Sequence, residues 1–396
     1  MRIAYVSADL GVPIFGRKGC SIHVQEVVRA LKNRGADVEV FSANASGTPP
    51  IGLDDLRVHS LPRPPKGDLA AREQAALAAN AELRAALARE PPYDLVYERY
   101  SLWSFAAMEC ARAANTPALL EVNAPLIEEQ AEHRGLVDRA GAQRVAEQVF
   151  GAATVILAVS EEVAAYVAQF PGTRHKIQVV PNGVSPNRFS PGLAPTLPRP
   201  AGAFTVGFVG TLKPWHGLSI LVEAFARLRR RHPEARLLIV GDGPERDRLA
   251  ADLAAGGLTD AVHLAGAVDA SAVPGWLASM DVGVAPYPPL PHFYFSPLKV
   301  YEYMAAGLPV VASRIGQLKN LIEEGRNGLL VTPGDAAGLA AALARLRSDP
   351  ELRARLGQAA RSTVLEQYTW DAVAQRVLRL AGLEATPHAE GAALRI

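Results

Sequence analysis

The feature that most constrains this chain is an alternation that runs through twice. Short β-branched segments take turns with longer segments of helical periodicity, and a proline-rich stretch separates the two runs. In the first run the strand candidates are Ile3–Val6, Val38–Phe41, Leu95–Tyr97, Ala118–Val122, Val155–Val159 and Ile177–Val180. Between them, Ile22–Lys32 sets Val24, Val27, Val28 and Leu31 on one helical face. The segment Leu69–Arg89 is rich in Ala, the best intrinsic helix former. The pattern breaks near Arg188, where residues 189–200 carry four prolines and no period. It resumes with strands at Thr205–Val209, Ala235–Val240, Val262–Leu264, Val282–Ala285, Pro309–Ala312 and Gly328–Val331. Helices are predicted at Ser219–Arg231, Pro244–Ala255, Lys299–Ala306 and Ala336–Arg347. Such alternation specifies a parallel sheet with helices on both faces. The chain therefore reads as α/β, two doubly wound domains in series: residues 1–188, a linker at 189–203, residues 204–370, and a terminal stretch at 371–396. The last residues, from Ala385 to Ile396, read as a frayed tail. Sheets of this kind bind ligands beyond the carboxyl ends of their strands, and two that face each other make a cleft.

Length agrees, since 396 residues exceed one typical core. A formal net charge of +1 supplies no global attraction to nucleic acid, so no such partner is expected. Two cysteines, Cys20 and Cys110, make no disulfide framework and suit a reducing compartment. No apolar run is long enough to span a bilayer, and Arg2–Ser7 begins a strand rather than a signal peptide. A cytoplasmic protein with at most peripheral membrane contact is expected. The nine histidines show no metal-ligand spacing, so no metal is expected.

The loops carry the chemistry. After the first strand, Gly11, Pro13, Gly16 and Gly19 lead into a helix that opens near Ser21. Glycines at a helix N-terminus let amides approach a phosphate, although they serve any tight turn equally well. A dinucleotide fingerprint is absent: Gly241-Asp242-Gly243 begins one, but Arg246 stands where the third glycine belongs. In the second half, the loop Gly210-Thr211-Leu212-Lys213-Pro214-Trp215-His216-Gly217 is polar and basic before a helix. Farther on, Ser296, Pro297 and Leu298 open a helix whose first amides could hold phosphate oxygens. One turn in, the Glu302 carboxylate could accept two hydrogen bonds from a ribose diol, or pair with Lys299 on a solvated face.

These motifs, in this order, resemble the retaining glycosyltransferases of family 4, which have the GT-B architecture of two Rossmann-like domains. Val159-Ser160-Glu161, Val180-Pro181-Asn182-Gly183-Val184, Gly241-Asp242-Gly243-Pro244, Glu302 to Ser313 and Asn327 to Asp335 belong to the same match, which covers nearly the whole length. The resemblance implies an acceptor-side first domain, a second domain that binds the nucleotide sugar, and a C-terminal helix that crosses back. Glu302 matches the second glutamate of a Glu-x7-Glu motif, which holds the ribose. Gly19, with Gly16 in the same loop, matches a backbone that faces the donor diphosphate. Gly243 falls in a matching loop, and Gly266 to Val268 match a segment that meets the base.

Departures from the family pattern are informative. The first glutamate of Glu-x7-Glu is replaced by Tyr294, which either donates its hydroxyl or packs. The family's two pyrophosphate cations are replaced by Thr211 and His216, leaving Lys213 and Lys299 as substitutes. Asn123 stands where an active-site histidine is usual. Arg99 and Glu129 are acceptor-binding candidates after strands of the first domain. The alternatives are an ion pair of Arg99 with Glu98 or Glu121, and dipole capping by Glu128 and Glu129. The function implied is retaining transfer of a sugar from a nucleotide diphosphate to an acceptor hydroxyl, with no cofactor beyond that co-substrate. The acceptor is a glycan, a lipid-linked molecule or a small molecule. Competing readings are a GT-B epimerase or phosphorylase and a non-catalytic sugar-nucleotide binder. The lost glutamate at Tyr294 is the best support for the binder.

Overall fold

The computed structural model describes residues 1–63, 67–190, 192–198, 200 and 202–384. The tail from Ala385 to Ile396, and positions 191, 199 and 201 of the expected linker, lie outside the described residues. The first sheet has seven strands: β1 (Arg2–Ser7), β2 (Asp37–Ser42), β3 (Arg57–Ser60), β4 (Leu95–Arg99), β5 (Ala118–Val122), β6 (Val155–Ala158) and β7 (Ile177–Val179). Their order is β3-β2-β1-β4-β5-β6-β7, and every pairing is parallel. The helices among them are α1 (Gly19–Asn33), α2 (Leu69–Arg89), α3 (Ala106–Ala113), α4 (Leu126–His133), α5 (Arg139–Ala152) and α6 (Glu161–Val167). The second sheet has six strands: β8 (Phe204–Val209), β9 (Ala235–Val240), β10 (Val262–Gly266), β11 (Val282–Ala285), β12 (Val310–Ser313) and β13 (Leu329–Val331). It is also parallel, in the order β10-β9-β8-β11-β12-β13. Its helices are α7 (Leu218–Arg231), α8 (Arg246–Ala255), α9 (Val273–Leu277), α10 (Leu298–Ala305), α11 (Leu318–Leu321), α12 (Ala336–Ser348), α13 (Pro350–Gln367) and α14 (Trp370–Leu380).

Central strands are buried on both faces because helices cover both, so they read as continuous apolar runs. In β1, Ile3, Ala4, Tyr5 and Val6 are fully buried. In α7, Leu221, Ala224, Phe225 and Leu228 turn inward at helical spacing. In both sheets the order reverses beside the first strand of the sheet, which opens a crevice at the carboxyl ends of β1 and β4 and of β8 and β11. The strand β3 was not anticipated. Its residues Arg57–Ser60 are mostly polar and only half-buried, as an edge strand allows.

The chain passes from the first sheet to the second through a turn at Pro186–Phe189, and Phe189 is buried in the second domain's core. It returns through α14, whose Trp370, Ala374, Val377 and Leu378 pack with α1 residues Val24, Val27 and Val28. Two backbone hydrogen bonds fix the crossing: Val184 N to Tyr368 O at 2.9 Å and Trp370 N to Val184 O at 3.1 Å. Among the described residues, no helix is long and apolar enough to cross a membrane.

Candidate functional site

The two halves meet at the N-termini of α1 and α10. At α1, Lys18 occupies the capping position and no side chain accepts from the first-turn amides. At α10, Pro297 does the same, and again no side chain caps the helix. A helix N-terminus without a cap offers free amides and a partial positive charge. These two ends converge. A Cβ placed on Gly19, the first residue of α1, would lie 3.9 Å from Leu298 Cδ1, the first residue of α10. Ser296 pins the start of α10 to the other domain: Asn182 N donates to its hydroxyl at 3.2 Å and Asn182 Nδ2 to its carbonyl at 2.9 Å. Gly16, by contrast, is occupied. Its amide donates to Pro13 O at 2.8 Å and its carbonyl accepts from Gln25 Nε2 at 3.0 Å.

Behind this junction lies Lys299. Its ammonium is buried, has no hydrogen-bond partner among the described residues, and sits 4.2 Å from the centre of the Phe208 ring. Gly210, with φ of 141°, makes the space at the end of β8. A Cβ there would come within 3.1 Å of Lys299 Cε. Burial pushes the Lys299 ammonium down to about 7, although Glu302 opposes the shift. Burial also pushes the Glu302 carboxyl up to about 7 against the pull of Arg188, with Glu26 adding to the rise. Arg188 Nη1 lies 3.7 Å from Glu302 and 3.9 Å from Glu26 of α1, so the carboxyl touches a network that spans both domains. The solvated Lys299–Glu302 pair is not formed, because Lys299 is buried.

The other candidates fall in several places. His216 Nδ1 donates to Thr211 O at 2.6 Å, and burial, reinforced by Lys299, pushes the imidazole down to about 3. A neutral His216 supplies no positive charge at the position where the family pattern has a cation. The Lys213 ammonium is 5.5 Å from the centre of the Trp215 ring, and the residue lines a cavity in the first domain. Gly243 meets a packing need. A Cβ would clash at 2.5 Å with Leu212 O, and its amide is taken by Asp242 Oδ1 at 2.7 Å. Val268 is half-buried on the second domain's core, just past β10.

Arg99 is buried in the ion-pair arrangement with Glu121, at 3.6 Å, while Glu98 accepts from Ser104 Oγ at 2.5 Å. Burial alone would raise the Glu121 carboxyl, but His23 at 2.5 Å, together with Arg99, holds it down at about 2. Among the described residues, Asn123 Nδ2, Ser7 Oγ and Ser21 Oγ are buried without a hydrogen-bond partner at normal distance. Unpartnered polar atoms are costly in a dry interior, so this edge of the first sheet suits a ligand or water. Tyr294 both packs and donates: its hydroxyl reaches Glu129 Oε2 across the domains at 3.1 Å, and its ring lies against the first domain's core. Glu129 also pairs with Arg134 at 3.0 Å.

A cavity of about 480 Å³ opens beyond the strand ends of the first sheet. Arg99, Asn123 and Glu129 do not line it. Lys18, Arg72, Trp103 and Arg134 do, and sequence reasoning missed them. The available signal was the helical spacing of Leu69, Arg72, Ala76, Ala79 and Leu83 along one face of α2. Among the described residues, Glu39, His59 and Glu90 are close enough to share a metal ion, but Glu39 is already paired with Arg2 at 2.5 Å.

The family described as Glycosyl transferase 4-like domain matches residues 18–183, and that described as Glycosyl transferases group 1 matches residues 203–349. The chain is 32% identical over 365 residues to a D-inositol 3-phosphate glycosyltransferase of Arthrobacter sp. (strain FB24), covering 86% of this chain and 85% of that one. Among solved structures it is similar to sucrose-phosphate synthase from Thermosynechococcus elongatus, with a TM-score of 0.75 at 22% identity over 96% of this chain and 98% of that one. It is also similar to Anabaena HepE in complex with UDP and glucose, with a TM-score of 0.72 at 23% identity over 96% and 99%.

Proposed function

The chain belongs to glycosyltransferase family 4, has the GT-B fold and is a glycosyltransferase, and from that premise we propose that it moves a sugar from a nucleoside diphosphate to an acceptor hydroxyl with retention of configuration. The observation that carries this reading is the convergence of two uncapped helix N-termini, α1 and α10, in front of the buried, partnerless Lys299. Two phosphates bring the negative charge that such a junction lacks.

In this reading the diphosphate lies between Gly19 and Leu298, Glu302 accepts from the ribose diol, and the strand end before Val268 meets the base. The bond from the anomeric carbon to the leaving phosphate breaks while the acceptor oxygen bonds on the same face. The acceptor's proton passes to the departing phosphate. The protein's work is to stabilise charge that grows on the diphosphate, through Lys299 and the two sets of helix amides. Those groups are fixed before the reaction begins, so little reorganisation is needed. The acceptor approaches from the first domain, where the Asn123 side-chain amide offers a donor.

Nucleoside diphosphates test the reading by linkage. UDP, GDP, ADP or dTDP at about 100 Kd should add about 2.7 kcal/mol and raise the melting temperature measurably. Glu302→Ala should lose most of the shift with an unchanged circular dichroism spectrum. If no nucleoside diphosphate shifts the melting point, the donor assignment fails; a full shift in Glu302→Ala removes the ribose role alone.

A further inference from the structure

We infer that the cavity in the first domain takes an amphiphilic anion as acceptor: a phosphate joined to an apolar body. This rests on the reading of the chain as a transferase with its donor between α1 and α10, and it names the acceptor's chemical class. The cavity, at about 480 Å³, is of a size suited to small ligands. One wall is apolar, made by Leu61, Leu69, Ala76, Leu83, Leu102 and Trp103.

The polar groups in the walls are already engaged. Glu73 accepts from the amides of Val137 and Asp138, each at 2.9 Å. Asn80 accepts from Phe105 N and Ala106 N and donates to Trp103 O. Gln130 donates to Gly135 O at 3.1 Å, and Arg134 is paired with Glu129. A sugar ring needs free amides and carboxylates for its hydroxyls, and few remain. What remains free is positive charge. Lys18, Arg72 and Lys213 all line the cavity, and none has an acidic partner within ion-pair distance among the described residues. The remaining wall acid, Asp9, already accepts from Gly11 N at 2.7 Å.

The cavity also has a direction. Lys18 is the capping residue of α1, beside Gly19, and Lys213 belongs to the loop after β8 in the other domain. Both mark the end that opens toward the α1–α10 junction. The apolar residues of α2 line the same cavity. An acceptor with its anion and hydroxyl near Lys18 and Lys213, and its apolar body along α2, presents the hydroxyl to the donor sugar.

The test uses decyl phosphate below its micelle-forming concentration, followed by calorimetry and by tryptophan fluorescence, since Trp103 lines the cavity. One molecule should bind per chain. Decyl maltoside and inorganic phosphate should each bind at least about tenfold more weakly, because each lacks one of the two features. Lys18→Ala removes a charge on an exposed position beside the place given to the anion and should weaken decyl phosphate by about tenfold. Ala76→Phe should block the cavity and abolish binding. Equal affinity for the maltoside, no saturable binding, or full affinity in both variants would overturn the inference. Phosphatidylcholine vesicles carrying a polyprenyl phosphate separate the sources. Sedimentation with them points to a membrane-borne acceptor, and binding of the soluble anion alone points to a free one; both support the class. UDP titrated into the same samples keeps the two readings apart. UDP binding without decyl phosphate binding sinks this inference alone, and loss of UDP binding in the unmodified protein sinks the donor site.

Discussion

Lys299 shows how a single side chain acquires a role from its surroundings. Its place in the first turn of α10 is legible in the sequence, because Pro297 and the apolar run after it mark the helix. Its burial against Phe208 and Tyr287 is not, since those rings come from distant strand ends. The same holds for His216, whose neutrality comes from burial and from Lys299, and for Arg99, whose partner Glu121 sits on the neighbouring strand β5. A proton balance follows. In the free protein burial holds the Lys299 ammonium at about 7, and a diphosphate bound as proposed would raise it. Binding therefore takes up protons, and affinity is full below about pH 7 and falls as pH rises through the bound-state value. Glu302, pushed up to about 7, would lose its proton to accept from ribose in the proposed pose and so would contribute the opposite sign. Glu302→Gln removes that opposing release. Calorimetry of UDP in two buffers of different ionisation heat should show proton uptake by Glu302→Gln at pH 7.5, a value chosen about half a unit above the Lys299 value. Uptake should vanish when Lys299→Met is added, and uptake that survives this change would assign the proton elsewhere. Lys299→Met by itself should weaken UDP more than UMP; equal losses would deny contact with the outer phosphate.

Among the elements, composition made two fully legible: the Ala-rich α2 was anticipated at Leu69–Arg89 and the apolar run of β9 at Ala235–Val240, as they are found. The edge strand β3 escaped because half-exposed polar residues carry no apolar signal. The helix α4 was anticipated from its acidic first turn, but not its partners across the cleft. His133 stacks on Trp215 at 5.8 Å, and Glu129 accepts from Tyr294 at 3.1 Å. Position 294 therefore joins the two domains where the family pattern has a carboxylate. A hydrogen bond to a charged acceptor contributes about 1.5–3 kcal/mol, enough to bias closure tenfold or more. Tyr294→Phe keeps the ring and loses the bond. UDP affinity should stay within about threefold, while hydrolysis of a bound nucleotide sugar should rise as water enters the loosened cleft. Unchanged hydrolysis would mean that the ring alone holds the domains.

At the scale of the whole molecule, the two sheets are tied together by α14, by the Arg188 network and by the contacts of α4. That arrangement puts one helix N-terminus from each domain, with one lysine, around a single small volume. In the proposed site fixed protein groups would meet the charge of a diphosphate, so hydrolysis of the donor should persist in EDTA. Complete loss restored by a divalent ion would show that these groups are insufficient. The sequence by itself determined the class of fold, the order of the elements and the loops that carry chemistry, because hydrophobic periodicity and glycine or proline punctuation act over a few residues. Only the tertiary structure decided that Tyr294 reaches Glu129, that Arg99 turns to Glu121, that Lys299 is dry, and that α2 and Lys213 wall one cavity. Those facts depend on which surfaces meet after the chain has closed on itself. Desolvation and ion pairing are properties of that enclosure, and no local pattern in the sequence encodes it.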